Sequence, residues 1–234
     1  MKKTGKIFAI AFFLFIKITT TLGQNFTPGV RLTSGLSYGI LKDTRDNIIY
    51  KTIKIGNQVW MAENLRTTKY RNGDSIPTIT SNSGWKNLTT GACCSYNNEV
   101  SDVYGKLYNW FAVADSRNIA PMGWHVPNDA EWKTLMAFLG ENTGGKLKET
   151  EASLWNSPNE GATNESGFSA LAAGVRFGYD GTFGACGILA DFWSCTPLGN
   201  SDYAWDFRMH YSNGGVHSAN INKKYGFSIR CIKD

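Results

Sequence analysis

The sequence predicts an α+β fold: two helices packed on twisted antiparallel sheets, with much irregular loop. Three observations predict it. Two helical patterns fall in the first half of the chain, one of them capped at both ends. The stretch YAWDFRMHY (203–211) alternates aromatic and polar residues with the period of a strand. Finally, 8 Trp, 13 Phe, 10 Tyr and 25 Gly stand against 18% charged residues, which is a folded, turn-rich composition.

The chain opens MKKTGKIFAIAFFLFIKITTTLGQNF. Lys2, Lys3 and Lys6 precede the apolar run Ile7–Ile16, and small or polar residues follow, the layout of a secretory signal peptide over residues 1–23. The run is too short for a spanning helix, which needs roughly 20 apolar residues. Cleavage is expected between Gly23 and Gln24. A lipid-anchored bacterial precursor would carry Cys where Gln24 stands, so a secreted or otherwise extracytoplasmic product without a transmembrane segment is expected. Residues 24–41 are polar and Gly-rich and read as a leader or linker; one domain then runs over 42–234.

The net charge of +5 is mostly a property of the leader. Lys2, Lys3, Lys6 and Lys17 carry four of those charges, leaving +1 on the mature chain. No Lys/Arg cluster suits a phosphate backbone, so nucleic acid is not an expected partner.

NIIYKTIKI reads as a strand with Ile49, Lys51, Ile53 and Ile55 on one face, and Gly56-Asn57 turns it into QVWMAE, a hairpin. Residues 66–92 read as loop. SDVYGKLYNWFAVADS places Tyr104, Leu107, Tyr108 and Phe111 at helical spacing, an amphipathic helix with an aromatic core face. GWHVP reads as a strand. PNDAEWKTLMAFLG has Asn128 as N-cap, Glu131 three residues on, a stripe of Trp132, Leu135, Met136 and Leu139, and Gly140 as terminator. Residues 141–167 read as loop. GFSALAAGVRF, DFWSC, YAWDFRMHY, VHSANI and YGFSIRCIKD then read as strands, with a turn at Asn213-Gly214-Gly215.

The chemistry-bearing residues fit few catalytic patterns. Cys93-Cys94 is vicinal, and His125, His210 and His217 fit no zinc spacing. The chain is read as lacking a serine nucleophile elbow and a phosphate-cradling loop after a strand.

DNIIYKTIKIGNQVWMAENL (46–65), CSYNNE (94–99), YGKLYNWFAV (104–113), APMGWHVPNDAEW (120–132), GGKLK (144–148), WNSPNEGATNESGFSALAAGVR (155–176), FWSCT (192–196) and YGFSIRCIKD (225–234) occur in that order. On these stretches the chain resembles the Fibrobacter succinogenes major paralogous domain, found in secreted proteins of Bacteroidetes and Fibrobacteres. The resemblance implies a C-type-lectin-like fold, related to that of the formylglycine-generating-enzyme group, and an extracytoplasmic setting. It departs from the family at Cys195, where Ser is usual, and Cys93 and Cys186 are particular to this chain.

An exported chain favours disulfides. Cys94 and Cys231 stand where the family often carries cysteine, which implies a Cys94–Cys231 bridge. Cys186–Cys195, nine apart with Gly187 between, is the second candidate, leaving Cys93 over. The fold implied by the resemblance presents ligands ahead of its last strands. There Tyr203 and Trp205 can stack on a sugar, with Asp206, Arg208, His210 and Asn213 as polar partners. The competing reading packs the aromatic face into the core and leaves the polar face solvated. In PNEGATNES, Asn159, Glu160, Asn164 and Glu165 are a weak calcium set that lacks the acidic alternation of an EF-hand. No other cofactor and no catalytic residue is expected.

The expectation is therefore a secreted, non-catalytic binding module for an extracellular glycan or surface protein. The alternatives are an oxidoreductase of the formylglycine-generating kind, using Cys186 and Cys195, and a structural component of a surface assembly.

Overall fold

The computed structural model describes residues 30–31 and 35–234. The expected signal peptide, its cleavage point at Gly23 and Gln24, and most of the leader lie outside these residues. Among the described residues, no helix is long and apolar enough to cross a membrane.

In chain order, β1 (Val30–Arg31), β2 (Ser37–Asp43), β3 (Ile48–Ile55) and β4 (Gln58–Met61) form an antiparallel meander. Next come α1 (Asn82–Lys86), β5 (Cys93–Cys94), β6 (Leu107–Tyr108), α2 (Trp110–Val113), β7 (Trp124–His125), α3 (Asp129–Leu139) and α4 (Thr143–Leu147). The rest is strand and loop: β8 (Ala173–Arg176), β9 (Phe183–Cys186), β10 (Leu189–Pro197), β11 (Tyr203–His210), β12 (Val216–Asn222) and β13 (Ile232–Lys233). The first meander grows into a six-stranded sheet of order β1-β2-β3-β4-β13-β7, and β10-β11-β12 form a second sheet. The result is a mixed, sheet-rich α+β chain with few helices.

Two aromatic clusters hold these layers together. In one, α3 lays Trp132 against Phe207 of β11, with centroids 4.9 Å apart and planes 15° apart, and against Trp60 of β4 at 5.0 Å. In the other, Trp193 of β10 meets Phe227 at 4.5 Å, beside Tyr50 and Tyr108. The α3 capping box forms as expected: Asn128 Oδ1 accepts from the Glu131 N–H at 3.0 Å and Glu131 Oε2 from the Asn128 N–H at 2.8 Å. Gly140 ends the helix with φ +68°.

The expected helix over 101–116 is replaced by strand β6 and the single turn α2. Gly105 breaks it with φ +70°, and a Cβ there would sit 2.9 Å from the Leu65 carbonyl oxygen. Asn109 then caps α2 instead of continuing a helix, accepting from the Ala112 N–H. The short helices α1 and α4 fall in stretches expected to be loop. In β3, Ile49 and Lys51 are exposed, whereas Tyr50 packs into the Tyr108 cluster and Ile53 and Ile55 into the Trp60 cluster. The strand passes from one core to the other, so it has no single buried face. Likewise β11 has no solvated polar face. Phe207 and Met209 join the Trp132 cluster, while Ala204 and Asp206 are also fully buried on the opposite side.

Three cations are fully buried: Lys148, Arg176 and Arg230. None forms an ion pair among the described residues. Backbone carbonyls satisfy them instead. Arg230 donates to Met61, Phe168 and Ser169 and to the Asn64 side chain. Arg176 donates to Ile79, Thr80 and Gly181. Apart from Met61 in β4, the carbonyls that the two arginines hold lie in loop backbone.

Candidate functional site

A groove of about 930 Å³ opens where four segments meet: the end of α1 with the loop after it, Phe111 of α2, the loop after β8, and the β11–β12 pair with the turn that follows it. The register Tyr203↔Asn222 and Trp205↔Asn220 sets one wall. The turn at 223–225 sets the floor. Asn222 Oδ1 accepts from the Lys224 N–H at 3.0 Å, and Trp85 Nε1 donates to the Lys224 carbonyl at 2.8 Å, locking α1 to the turn. Gly178 completes the closure, since a Cβ there would lie 2.9 Å from Lys224 and Tyr225 backbone atoms.

The lining is aromatic and polar together. Phe111, Tyr179, Tyr203 and Tyr225 supply rings, and Asn87, Thr89, Asn220 and Asn222 supply amides and a hydroxyl. Tyr179 is 66% exposed and Tyr203 46%, although both are large rings. Both rings leave much of their surface open to solvent. Tyr179 and Tyr225 stand 6.3 Å apart, braced by Phe177 at 5.3 and 6.1 Å. Lys86, Lys224 and Asp202 are the charged lining residues.

The Fibrobacter succinogenes major domain (Fib_succ_major) family model matches residues 53–233. The chain belongs to this family. Comparison with curated proteins and with solved structures finds no match. Every residue of the groove falls inside the matched Fib_succ_major region.

Of the six residues expected to bind ligand, only Tyr203 lines the groove of this Fib_succ_major domain. Trp205 is half-buried on β11 without reaching it. Asp206 is fully buried beside Asp191, and Arg208 ion-pairs with both. At the far end of β11, roughly 23 Å from Tyr203 at strand rise, His210 Nδ1 meets Ser212 Oγ at 2.7 Å. There too, Asn213 Oδ1 caps the turn, accepting from the Gly215 N–H at 3.0 Å. The residues that reasoning from sequence missed come from elsewhere: Lys86 and Asn87 at the end of α1, Tyr179 in FGYDG, and the outward amides of β12. The alternation Asn220, Asn222 was the only local signal.

The calcium set is engaged only in part, since Asn159 Oδ1 has no hydrogen-bond partner among the described residues. Asn164 donates to Glu149 Oε2 and Ser169 Oγ and accepts from the Ser169 N–H. Glu165 pairs with Lys146 at 3.4 Å, and Asn159 donates to the Glu149 carbonyl. A positive charge is nevertheless present in this loop. Lys148 Nζ donates to the carbonyls of Glu160, His210 and Asn213 at 2.7, 3.1 and 2.9 Å. Among the described residues, no group of three His, Cys, Asp or Glu is arranged to hold a metal ion.

All five cysteines are free thiols. The expected Cys94–Cys231 bridge is not formed: Cys94 packs with Trp85, Ala92 and Leu107, and Cys231 in the separate cluster around Tyr50 and Met61. Nor is Cys186–Cys195 formed. Cys186 ends β9 opposite Ala173, while Cys195 lies in β10, its N–H bonded to the Pro127 carbonyl. Burial pushes the Cys94 and Cys231 thiols up to about 12 and raises those of Cys93, Cys186 and Cys195. The sequence GLSYG (35–39) does read G-x-S-x-G, contrary to expectation. Ser37 opens the strand β2, however, and not the strand-to-helix elbow that exposes a nucleophile.

Proposed function

We propose that the protein is a non-catalytic, extracytoplasmic binding module of C-type-lectin-like fold whose groove takes an extended saccharide. The observation that carries this reading is the pair of exposed rings, Tyr179 and Tyr203, on a groove that also presents the amides of Asn87, Asn220 and Asn222. Sugars have apolar ring faces and hydroxyl edges, and stacking rings flanked by amides match both. The basic-then-apolar leader supports export, and a groove open to solvent suits a ligand outside the cell. The oxidoreductase alternative would rest on Cys186 and Cys195, which form no bridge: one ends β9 opposite Ala173 and the other lies in β10.

A glycan array probed with the mature protein, followed by calorimetry on any binder, tests the reading. Tyr203→Ala and Tyr179→Ala should each weaken binding about tenfold, or roughly 1.4 kcal/mol, without changing Tm, because both side chains are exposed. Binding that is indifferent to both substitutions, or absent for every saccharide, removes the groove as the site.

A further inference from the structure

We infer that the saccharide taken by the groove is acidic, a hexuronate-containing chain whose carboxylate is held by Lys86 and Lys224. The inference rests on the groove reading and narrows it to a class of ligand.

The fold brings the Lys224 side chain to the backbone of Lys86, and both residues line the groove. Lys224 Nζ donates to the Lys86 carbonyl at 3.0 Å, which fixes the turn at 223–225 against the C-terminal end of α1. An ammonium has three donors, so two remain on Lys224, and no hydrogen bond of the Lys86 ammonium is formed among the described residues. Neither lysine forms an ion pair among the described residues, so neither charge is neutralised by a carboxylate of the chain. Asp202 is the one carboxylate in the lining, so the groove holds two cations against one anion. Its excess positive charge is local. Without the leader the chain carries only +1, so the lysine pair is no part of a general basic surface.

The rest of the lining selects the kind of anion. No arginine lines the groove, so the bidentate fork common at phosphate sites is missing. Here the lysines sit at a helix end with tyrosine rings and amides beside them. A uronate matches this set: the pyranose face lies on Tyr203 or Tyr225, the hydroxyls meet Asn220 and Asn222, and the carboxylate meets the ammonium pair.

Calorimetry of the mature protein against oligogalacturonate and alginate fragments, with cello- and manno-oligosaccharides as neutral controls and polyglutamate as an acidic non-sugar, tests this at low and high salt. The expected result is uronate binding that weakens with salt and falls about fivefold to tenfold in Lys86→Gln/Lys224→Gln, and falls also in Tyr203→Ala. Lys86→Glu is the second variant if the double variant fails to fold. If neutral oligosaccharides bind as tightly as uronates and the lysine variants bind them unchanged, the acidic ligand is overturned while the saccharide groove stands. Polyglutamate binding that ignores Tyr203→Ala, or no binding of any saccharide, overturns both.

Discussion

Asp206 Oδ2 lies 3.4 Å from Nη2 of Arg208, two residues along the same strand, yet neither carboxyl oxygen of Asp206 is held by an N–H. Arg208 Nε is committed instead to Asp191 on the neighbouring strand. One guanidinium thus serves two carboxyls that are both almost wholly buried. Burial, then the neighbouring Asp191, push Asp206 up to about 8 despite Arg208.

That shift has a definite sign. The unfolded chain loses this proton near the ordinary carboxylate value of 3.8, whereas the folded chain keeps it to about 8. Stability should therefore fall as pH rises between those values. Asp206→Asn removes the penalty and should be the more stable protein at pH 8, by about 1–3 kcal/mol, with little difference at pH 4. Urea unfolding at the two pH values checks this. An equal offset at both would mean the carboxyl carries no linked proton.

Lys148 gives a prediction of opposite character, because its partners are carbonyls. Lys148→Met should leave the Glu160, His210 and Asn213 carbonyls without their donor and cost about 3 kcal/mol. Since the ammonium already occupies the loop that carries Asn159 and Glu165, added calcium should not raise the Tm of the wild type. A calcium-dependent rise would return that loop to the list of ion sites.

The free thiols predict a simple titration. Intact mass should be the same with and without reductant, and five equivalents of a thiol reagent should react after denaturation. In the native state Cys93, Cys94 and Cys231 should be silent, being fully buried. Cys186 and Cys195, half-buried and with raised pKa, should react slowly. A mass increase of two hydrogens on reduction would establish a bridge.

His125 ties the last residue to α3. Its Nδ1 meets Asp234 Oδ1 and its Nε2 meets Glu131 Oε1, each at 2.7 Å. Burial pulls the imidazolium pKa down, but hydrogen bonds to the two carboxylates outweigh that and leave it raised. A raised histidine stabilises most below its unfolded pKa, near 6.5, and the contribution is lost as pH climbs through the folded value. His125→Gln should flatten the stability profile across that window while leaving the slope due to Asp206 in place.

How much of this was legible depended on how local the cause was. The α3 capping box needs only Asn128 and Glu131, three residues apart, and was readable. So was the Asn213-Gly214-Gly215 turn. The Tyr104 stripe misled because periodicity says nothing of Leu65, 40 residues upstream, whose carbonyl crowds Gly105. Buried Lys148, Arg176 and Arg230 look like surface charges in any window, since the carbonyls that satisfy them come from elsewhere in the chain. The groove was illegible for the same reason: Lys86, Tyr179 and Tyr203 are neighbours only after folding.

The position of β13 governs when this protein can exist at all. Ile232 pairs with Trp60 on one side and His125 on the other, so the final strand is an inner stave of the large sheet. Of the described strands, that stave comes last in chain order. Until it is in place, β4 and β7 have nothing between them, and the chain cannot close its largest sheet. Closing the large sheet therefore waits until Ile232 is available, and a chain lacking residues 225–234 should behave as an unfolded one.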